Sequence, residues 1–204
     1  MDNCKVYVID DAEEVRNAIT LLMESVGLDV VAFSSADEFM NNYSADFEGC
    51  ILLDVRMPGM SGLELQKKLN EMGNSPPIII ISGHGDIPMA VKAVQAGAIN
   101  FVEKPFKDQD ILDSVHRAFK VDSLRRGKNM MLESINEKIA SLTAREKEVM
   151  YAIAAGKRNK MIAADLNISL STVEAHRAHV MSKMEATSLS DLMRMVIYVE
   201  NISD

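Results

Sequence analysis

A chain of 204 residues, 48% of them apolar, has room for two small domains with a core each. No run approaches the roughly 18 consecutive apolar residues of a membrane span, and the first residues enter a strand pattern with neither basic flank nor cleavage site, so no signal peptide, no membrane partner and a cytoplasmic location are expected. The net charge of −8 is uneven: residues 1–120 carry 10 Lys and Arg against 19 Asp and Glu, residues 121–204 carry 12 against 11, and two modules with different partners are implied.

Five apolar runs organise the first half. Val6-Tyr7-Val8-Ile9 ends at Asp10-Asp11, Val30-Val31-Ala32-Phe33 at Ser34-Ser35, and Ile51-Leu52-Leu53 at Asp54. Ile78-Ile79-Ile80-Ile81 ends at Ser82, and Ile99-Asn100-Phe101-Val102 leads to Lys104-Pro105. Between them lie apolar residues at helical spacing: Val15, Ala18, Ile19, Leu22 and Met23; Leu63, Leu65 and Leu69; Ile87, Val91, Val94 and Ala98. This alternation predicts an α/β domain, a parallel sheet with helices on both faces, in which the isoleucine run is a central strand. The strand tips of such a sheet share one edge, where ligands bind. If the first and third strands end level, Cys50 lies beside Val6 and not beside Cys4, so no disulfide is expected and both cysteines read as buried small hydrophobes.

A carboxylate at a strand tip can attack a phosphoryl donor once a divalent cation screens the negative charges. Mg²⁺ takes oxygen ligands and keeps several waters, and Asp11 and Asp54, with Asp10 acting partly through water, are its candidate shell. Lys104 is placed to neutralise a phosphoryl oxygen and Ser82 to donate a hydrogen bond to another. Singly, each has a plainer explanation: a solvated Asp-Asp turn, a serine in a turn, a surface lysine. Their joint placement at successive strand ends favours phosphoryl chemistry. A phosphatase of the haloacid-dehalogenase class needs a second acid two residues after its nucleophile, and Arg56 stands there, so an enzyme is not expected.

Asp10-Asp11, Leu53-Asp54-Val55-Arg56-Met57-Pro58-Gly59-Met60-Ser61-Gly62, Ser82-Gly83-His84-Gly85-Asp86-Ile87-Pro88-Met89-Ala90-Val91 and Glu103-Lys104-Pro105-Phe106 resemble the receiver domains of bacterial response regulators, most nearly the FixJ type. The resemblance implies a five-stranded, doubly wound, flavodoxin-like receiver over residues 1–121, with Asp54 accepting phosphate from a sensor histidine kinase. It implies Mg²⁺ on Asp10, Asp11, Asp54 and the backbone carbonyl of Arg56, with Lys104 and Ser82 stabilising the phosphoryl group. Phe101 matches the family's aromatic switch, the Lys104–Pro105 peptide would be cis, and Arg56 and His84 stand where phosphate lifetime is tuned. Residues 88–96 and 99–102 would form the face that pairs two phosphorylated receivers into a homodimer, with Met89, Val91 and Lys92 as candidates.

Residues 107–141 keep helical spacing through Ile111, Val115, Ala118 and Phe119, then Met131, Ile135 and Ile139. Residues 122–138 read as a helical linker, with Gly127 as its weakest point and candidate hinge. Residues 139–204 read as a four-helix, all-α domain. Thr143-Ala144-Arg145-Glu146 is a capping box that starts a helix ending near Gly156. A second helix spans residues 159–165, Asn167-Ile168-Ser169 turns the chain, and a third helix runs to Met184. The pair forms a helix-turn-helix, whose second helix enters the DNA major groove. At 100° per residue Val173, Val180 and Met184 face inward, with His176 at their edge, while Ser171, Glu174, Ala175, Ala178 and Ser182 share the opposite side. Small residues there allow close approach to thymine methyls, and Glu174 can accept from cytosine N4. Arg177 and His179 flank this face, Lys160 and Lys183 add phosphate contacts, and Thr172 completes the candidate set.

This half resembles the LuxR/NarL-type effector domain through Leu142-Thr143-x-Arg145-Glu146, Asn159-Lys160-x-Ile162-Ala163 and Ser171-Thr172-Val173-Glu174-Ala175-His176-Arg177, although relatives often carry lysine where Glu174 stands. It implies binding to double-stranded promoter DNA, with RNA polymerase as a candidate further partner. Leu189, Leu192, Met193, Val196 and Val199 on the last helix either complete the core or pair two domains. The expectation is a transcription regulator whose receiver restrains the DNA-binding half until phosphate at Asp54 favours a dimer. The alternative is an orphan, phosphorylation-independent DNA-binding regulator.

Overall fold

Strands β1 (Lys5–Ile9), β2 (Asp29–Phe33), β3 (Gly49–Asp54), β4 (Ile78–Ser82) and β5 (Asn100–Glu103) form one parallel sheet in the order β2-β1-β3-β4-β5. They belong to a computed structural model that describes residues 4–44, 47–73, 75–83 and 87–203, with side chains to residue 200. Two compact units divide it, Met1–Arg126 and Gly127–Asp204.

In the first unit, α1 (Glu13–Ser25), α2 (Ala36–Asn42), α3 (Gly62–Met72) and α4 (Ile87–Gln95) separate the strands, and α5 (Asp108–Ala140) follows them. Alternate residues of the strands feed two cores. Tyr7, Ile9, Ile51, Leu53 and Ile80 pack with Phe39 and Leu65 on one face, and Val6, Val8, Leu52, Ile79 and Ile81 pack with Ile19, Met23, Ile111 and Val115 on the other. Strands β3 and β4 are buried along their whole length, which is why their sequences are unbroken apolar runs. The chain winds from β1 outward to β2, then returns past β1 to β3 and onward. The strand order therefore reverses between β1 and β3, and a crevice opens beyond those two tips.

The register sets Val6 opposite Cys50, as expected, and both cysteines are free. Cys50 is buried, but Cys4 is only partly covered and its Sγ accepts a hydrogen bond from Arg126 Nη2 at 3.4 Å. The reading of Cys4 as a buried hydrophobe is corrected accordingly.

On helix α4 the structure decides which residues point outward. Its stripe of Ile87, Val91 and Val94 is 81%, 46% and 51% exposed, and Ala93 is the residue it buries. The spacing marked the outer face of the helix. Helix α2 was not read from the sequence. It starts at Ser35, whose hydroxyl accepts from Glu38 N, while Glu38 Oε2 accepts from Ser34 N.

Helix α5 runs unbroken through Gly127. Asp122 on it is completely buried: Oδ2 accepts from Gly49 N at 3.0 Å and pairs with Arg126 Nε at 2.9 Å, and Oδ1 accepts from Arg125 Nη2 at 2.7 Å. Arg126 also pairs with Glu48 at 3.0 Å, and Arg125 donates to the carbonyl of Phe47 at 3.1 Å. These contacts carry the first unit to Arg126.

The second unit packs the end of α5 with α6 (Ala144–Ala154), α7 (Asn159–Leu166), α8 (Leu170–Lys183) and α9 (Leu189–Ser203) around Val149, Met150, Ile153, Ile162, Val173, Val180, Met184, Leu192 and Val196. The box at Thr143 is closed in both directions, Glu146 N to Thr143 Oγ1 at 3.3 Å and Thr143 N to Glu146 Oε2 at 2.8 Å. Asn167 adopts the left-handed conformation that ends α7, and Ser169 caps α8. On α9, Leu192 and Val196 are buried and Val199 packs on the core, so these three complete it, whereas Leu189 and Ile197 are exposed.

Candidate functional site

Asp10 follows β1 and Asp54 ends β3, on either side of the crevice. Both are buried. Between them lies the ammonium of Lys104, just past β5: Nζ donates to Asp10 Oδ2 and to Asp54 Oδ1, each at 2.6 Å. Lys104 is set there by its backbone N, which donates to the Ser82 carbonyl at 2.8 Å, and the peptide that follows it, Lys104–Pro105, is cis. The second oxygens are also engaged. Asp54 Oδ2 accepts from Arg56 N at 2.6 Å, and Asp10 Oδ1 from Ala12 N at 3.0 Å. Ser82 is buried at the end of β4, one position beyond the Ile81 that pairs with Asp54.

Burial is the largest influence on Asp54 and raises its carboxyl above the ordinary carboxylate range, against the opposing pull of Lys104. Burial also works against the Lys104 charge, but hydrogen bonds to Asp10 and Asp54 outweigh it and the ammonium is held above its usual value. The centre is thus a lysine cation shared by two carboxylates. The donors are all hard oxygens, which suit Mg²⁺ and not a softer metal. Asp11 is exposed at the mouth, and among the described residues no three acid, His or Cys side chains are gathered closely enough to hold a metal.

The predicted Asp10, Asp54 and Lys104 are brought into contact, with Ser82 beside them, while Asp11 and the exposed Arg56 stay at the rim. Phe101 pairs with Ile80 on β5 and is partly buried against the α3/α4-side core. His84 lies outside the described residues. Gly62 serves the site through close backbone approach: a Cβ there would lie 2.0 Å from the Asp54 carbonyl oxygen.

In the second unit, Ser171, Glu174, Ala175, Ala178 and Ser182 are all exposed along α8, and Lys160 is exposed on α7. Other predicted contacts have intramolecular partners. Arg177 Nη1 donates to Asn159 Oδ1 at 3.0 Å, and the Thr172 hydroxyl meets that of Ser169 at 2.7 Å. Lys183 Nζ donates to Glu146 Oε2 at 2.7 Å and to the Ser141 carbonyl at 3.3 Å, and His179 Nδ1 stands 3.6 Å from Glu146 Oε1. Glu146 is therefore more than a cap. The Lys183 hydrogen bond, with that from Thr143 N, holds its carboxyl down to about 2. A carboxylate in a capping box reads as local from the sequence, which is why its tie to α8 was missed.

Comparison with known proteins agrees with both halves. Residues 6–116 match the family model described as response regulator receiver domain, and residues 140–196 match that of bacterial regulatory proteins, luxR family. The response regulator protein TodT of Pseudomonas putida is 44% identical over 190 residues, 93% of this chain and 84% of that protein. The transcriptional regulatory protein FixJ of Azorhizobium caulinodans is 45% identical over 197 residues, 96% of this chain and 93% of that protein. Among solved structures, the response regulator StyR superposes with a TM-score of 0.82 at 39% identity, covering 95% of this chain and 98% of its own. Full-length FixJ from B. japonicum gives 0.59 at 38% identity, covering 98% and 99%.

Proposed function

The chain belongs to the bacterial response regulators that join a receiver domain to a LuxR-type DNA-binding domain, and on that footing we propose that Asp54 is the phosphoacceptor through which a sensor histidine kinase controls its binding to promoter DNA. The chain is a transcription regulator and not an enzyme. The observation that carries the proposal is the Lys104 ammonium held 2.6 Å from both Asp10 and Asp54.

An oxygen of Asp54 attacks the phosphorus of the kinase phosphohistidine, forming an acyl phosphate as the P–N bond breaks and the imidazole leaves. Lys104 keeps a positive charge beside the incoming phosphoryl oxygens, and the Ser82 hydroxyl donates to one of them. Asp10, Asp11, Asp54 and the Arg56 carbonyl would hold Mg²⁺, which screens the carboxylates from the phosphoryl group. Phe101 turns inward as Ser82 moves toward the phosphate. The exposed face of Ile87, Val91 and Val94 then pairs with a second copy. Two α8 helices, each presenting Ser171, Glu174, Ala175 and Ala178, read the two halves of a site. Arg177 and Lys160 contact flanking phosphates.

Sedimentation velocity with Mg²⁺, before and after beryllofluoride, tests this with Asp54→Asn as control. A monomer-to-dimer shift in the wild type alone is expected. A shift that persists in Asp54→Asn, or none in the wild type, would favour a regulator that does not depend on phosphate.

A further inference from the structure

Apolar packing holds α4 weakly. Ala93 is the residue of this helix that the core buries, with partial cover from Met89, while Ile87, Val91 and Val94 face outward. What secures the helix lies at its C-terminal end and comes from α3. Gln66 Nε2 donates to the carbonyl of Ala93 at 3.0 Å and to that of Ala96 at 3.2 Å. Asn70 Nδ2, one turn further along α3, donates to the Ala96 carbonyl at 2.6 Å. The Ala93 carbonyl already accepts from Ala98 N at 3.0 Å, so Gln66 adds a second donor there, and together the two side-chain amides tie the end of α4 to α3.

The tie is incomplete in one respect. Gln66 is 1% exposed, and among the described residues its Oε1 meets no hydrogen-bond donor. The stranded acceptor offsets part of what the two donated hydrogen bonds return. Gln66 therefore holds α4 by a margin small enough for the contact to break.

We propose that Gln66 and Asn70 form a polar latch that fixes the position of α4 in the resting receiver, and that its opening lets α4 shift so that the already exposed Ile87, Val91 and Val94 face can fit a second copy. The stranded Oε1 keeps the latch shallow. Movement of α4 lets that oxygen find a donor while the carbonyls of Ala93 and Ala96 turn to water or to a new neighbour. The inference rests on the reading of that face as the dimer surface.

The test uses the full chain, comparing wild type with Gln66→Leu and Asn70→Ala. Self-association is followed by sedimentation velocity with Mg²⁺ and with or without beryllofluoride. Backbone hydrogen exchange over α4 is followed in the monomer. Gln66→Leu is expected to self-associate without beryllofluoride at about 25-fold lower concentration than the wild type, roughly fivefold for the net hydrogen bond lost from each of two protomers. Asn70→Ala should shift the same way by less. Exchange over α4 should quicken in both while that of β3 stays unchanged. Wild-type association and wild-type α4 exchange in both variants would overturn the latch. If the wild type fails to dimerise even with beryllofluoride, the dimer reading falls by itself; quickened α4 exchange would still uphold the latch and unchanged exchange would end it. Should Gln66→Leu fail to fold, Asn70→Ala decides, because its side chain lies at the surface.

Discussion

Lys104 Nζ stands 2.6 Å from an oxygen of Asp54 and at the same distance from Asp10, so one cation bridges two carboxylates at the ends of neighbouring strands. Removing it leaves two buried acids facing each other. Lys104→Met should lose about 2–3 kcal/mol of stability at neutral pH, the lower end for a broken buried pair because the lysine is partly wet. Adding Asp54→Asn to that variant should restore part of the loss. Urea unfolding of the two singles and the double measures the coupling, and strict additivity would deny it.

A second prediction concerns pH. Glu146 titrates near 2 in the fold and near the ordinary 4.5 when unfolded, so the native state binds fewer protons between those values. Its contribution is therefore complete above pH 4.5 and is lost as pH falls toward 2. Thermal unfolding of wild type and Glu146→Gln should differ at pH 7 and converge across that window. Equal curves at every pH would remove Glu146 from the account.

Gly62 is a packing prediction. The added methyl of Gly62→Ala would have to displace the Asp54 carbonyl, since its ideal position is 2.0 Å away. Overpacking of this kind costs about 1–3 kcal/mol. Acceptance of phosphate from acetyl phosphate should fall along with the thermal midpoint, because the backbone that moves carries Asp54, the proposed acceptor. A variant with native stability and native phosphorylation would contradict the geometry.

Glu174 gives the DNA prediction. On selected binding sites, Glu174→Ala should relax discrimination at one C·G pair by about 1–3 kcal/mol while changing binding to random duplex little. A uniform change across all sequences would make Glu174 an electrostatic residue instead of a reader.

The convergence of Asp10, Asp54 and Lys104 was legible because a polar residue closing an apolar run is a positional statement: parallel strands carry all such residues to one edge. The β1 to β3 register followed from the same reasoning, down to Val6 beside Cys50. Helix α4 was harder. Periodicity in Ile87, Val91 and Val94 identifies a face, but inside and outside depend on what the sheet leaves room for, and Ala93 took the inner place. Asp122 reads as an ordinary helix-surface acid until the fold brings Gly49 to it across 73 residues. Lys183 has the same character, since its partner Glu146 lies 37 residues back. Helix α2 is short, and Ser35 and Glu38 were its only strong signal.

The burial of Asp122 redraws the charge map of the molecule. Arg125 and Arg126 belong by their contacts to the receiver side, where that carboxylate and Glu48 absorb them. What remains from Gly127 onward holds ten basic and ten acidic residues. This LuxR-type half therefore carries no net charge, so its total charge does nothing to draw it toward a polyanion. A single copy must rely on a few well-aimed cations and on fit to the groove. If the proposed pairing doubles those contacts, it separates a glancing encounter from residence, and on that proposal the control of pairing is the control of transcription.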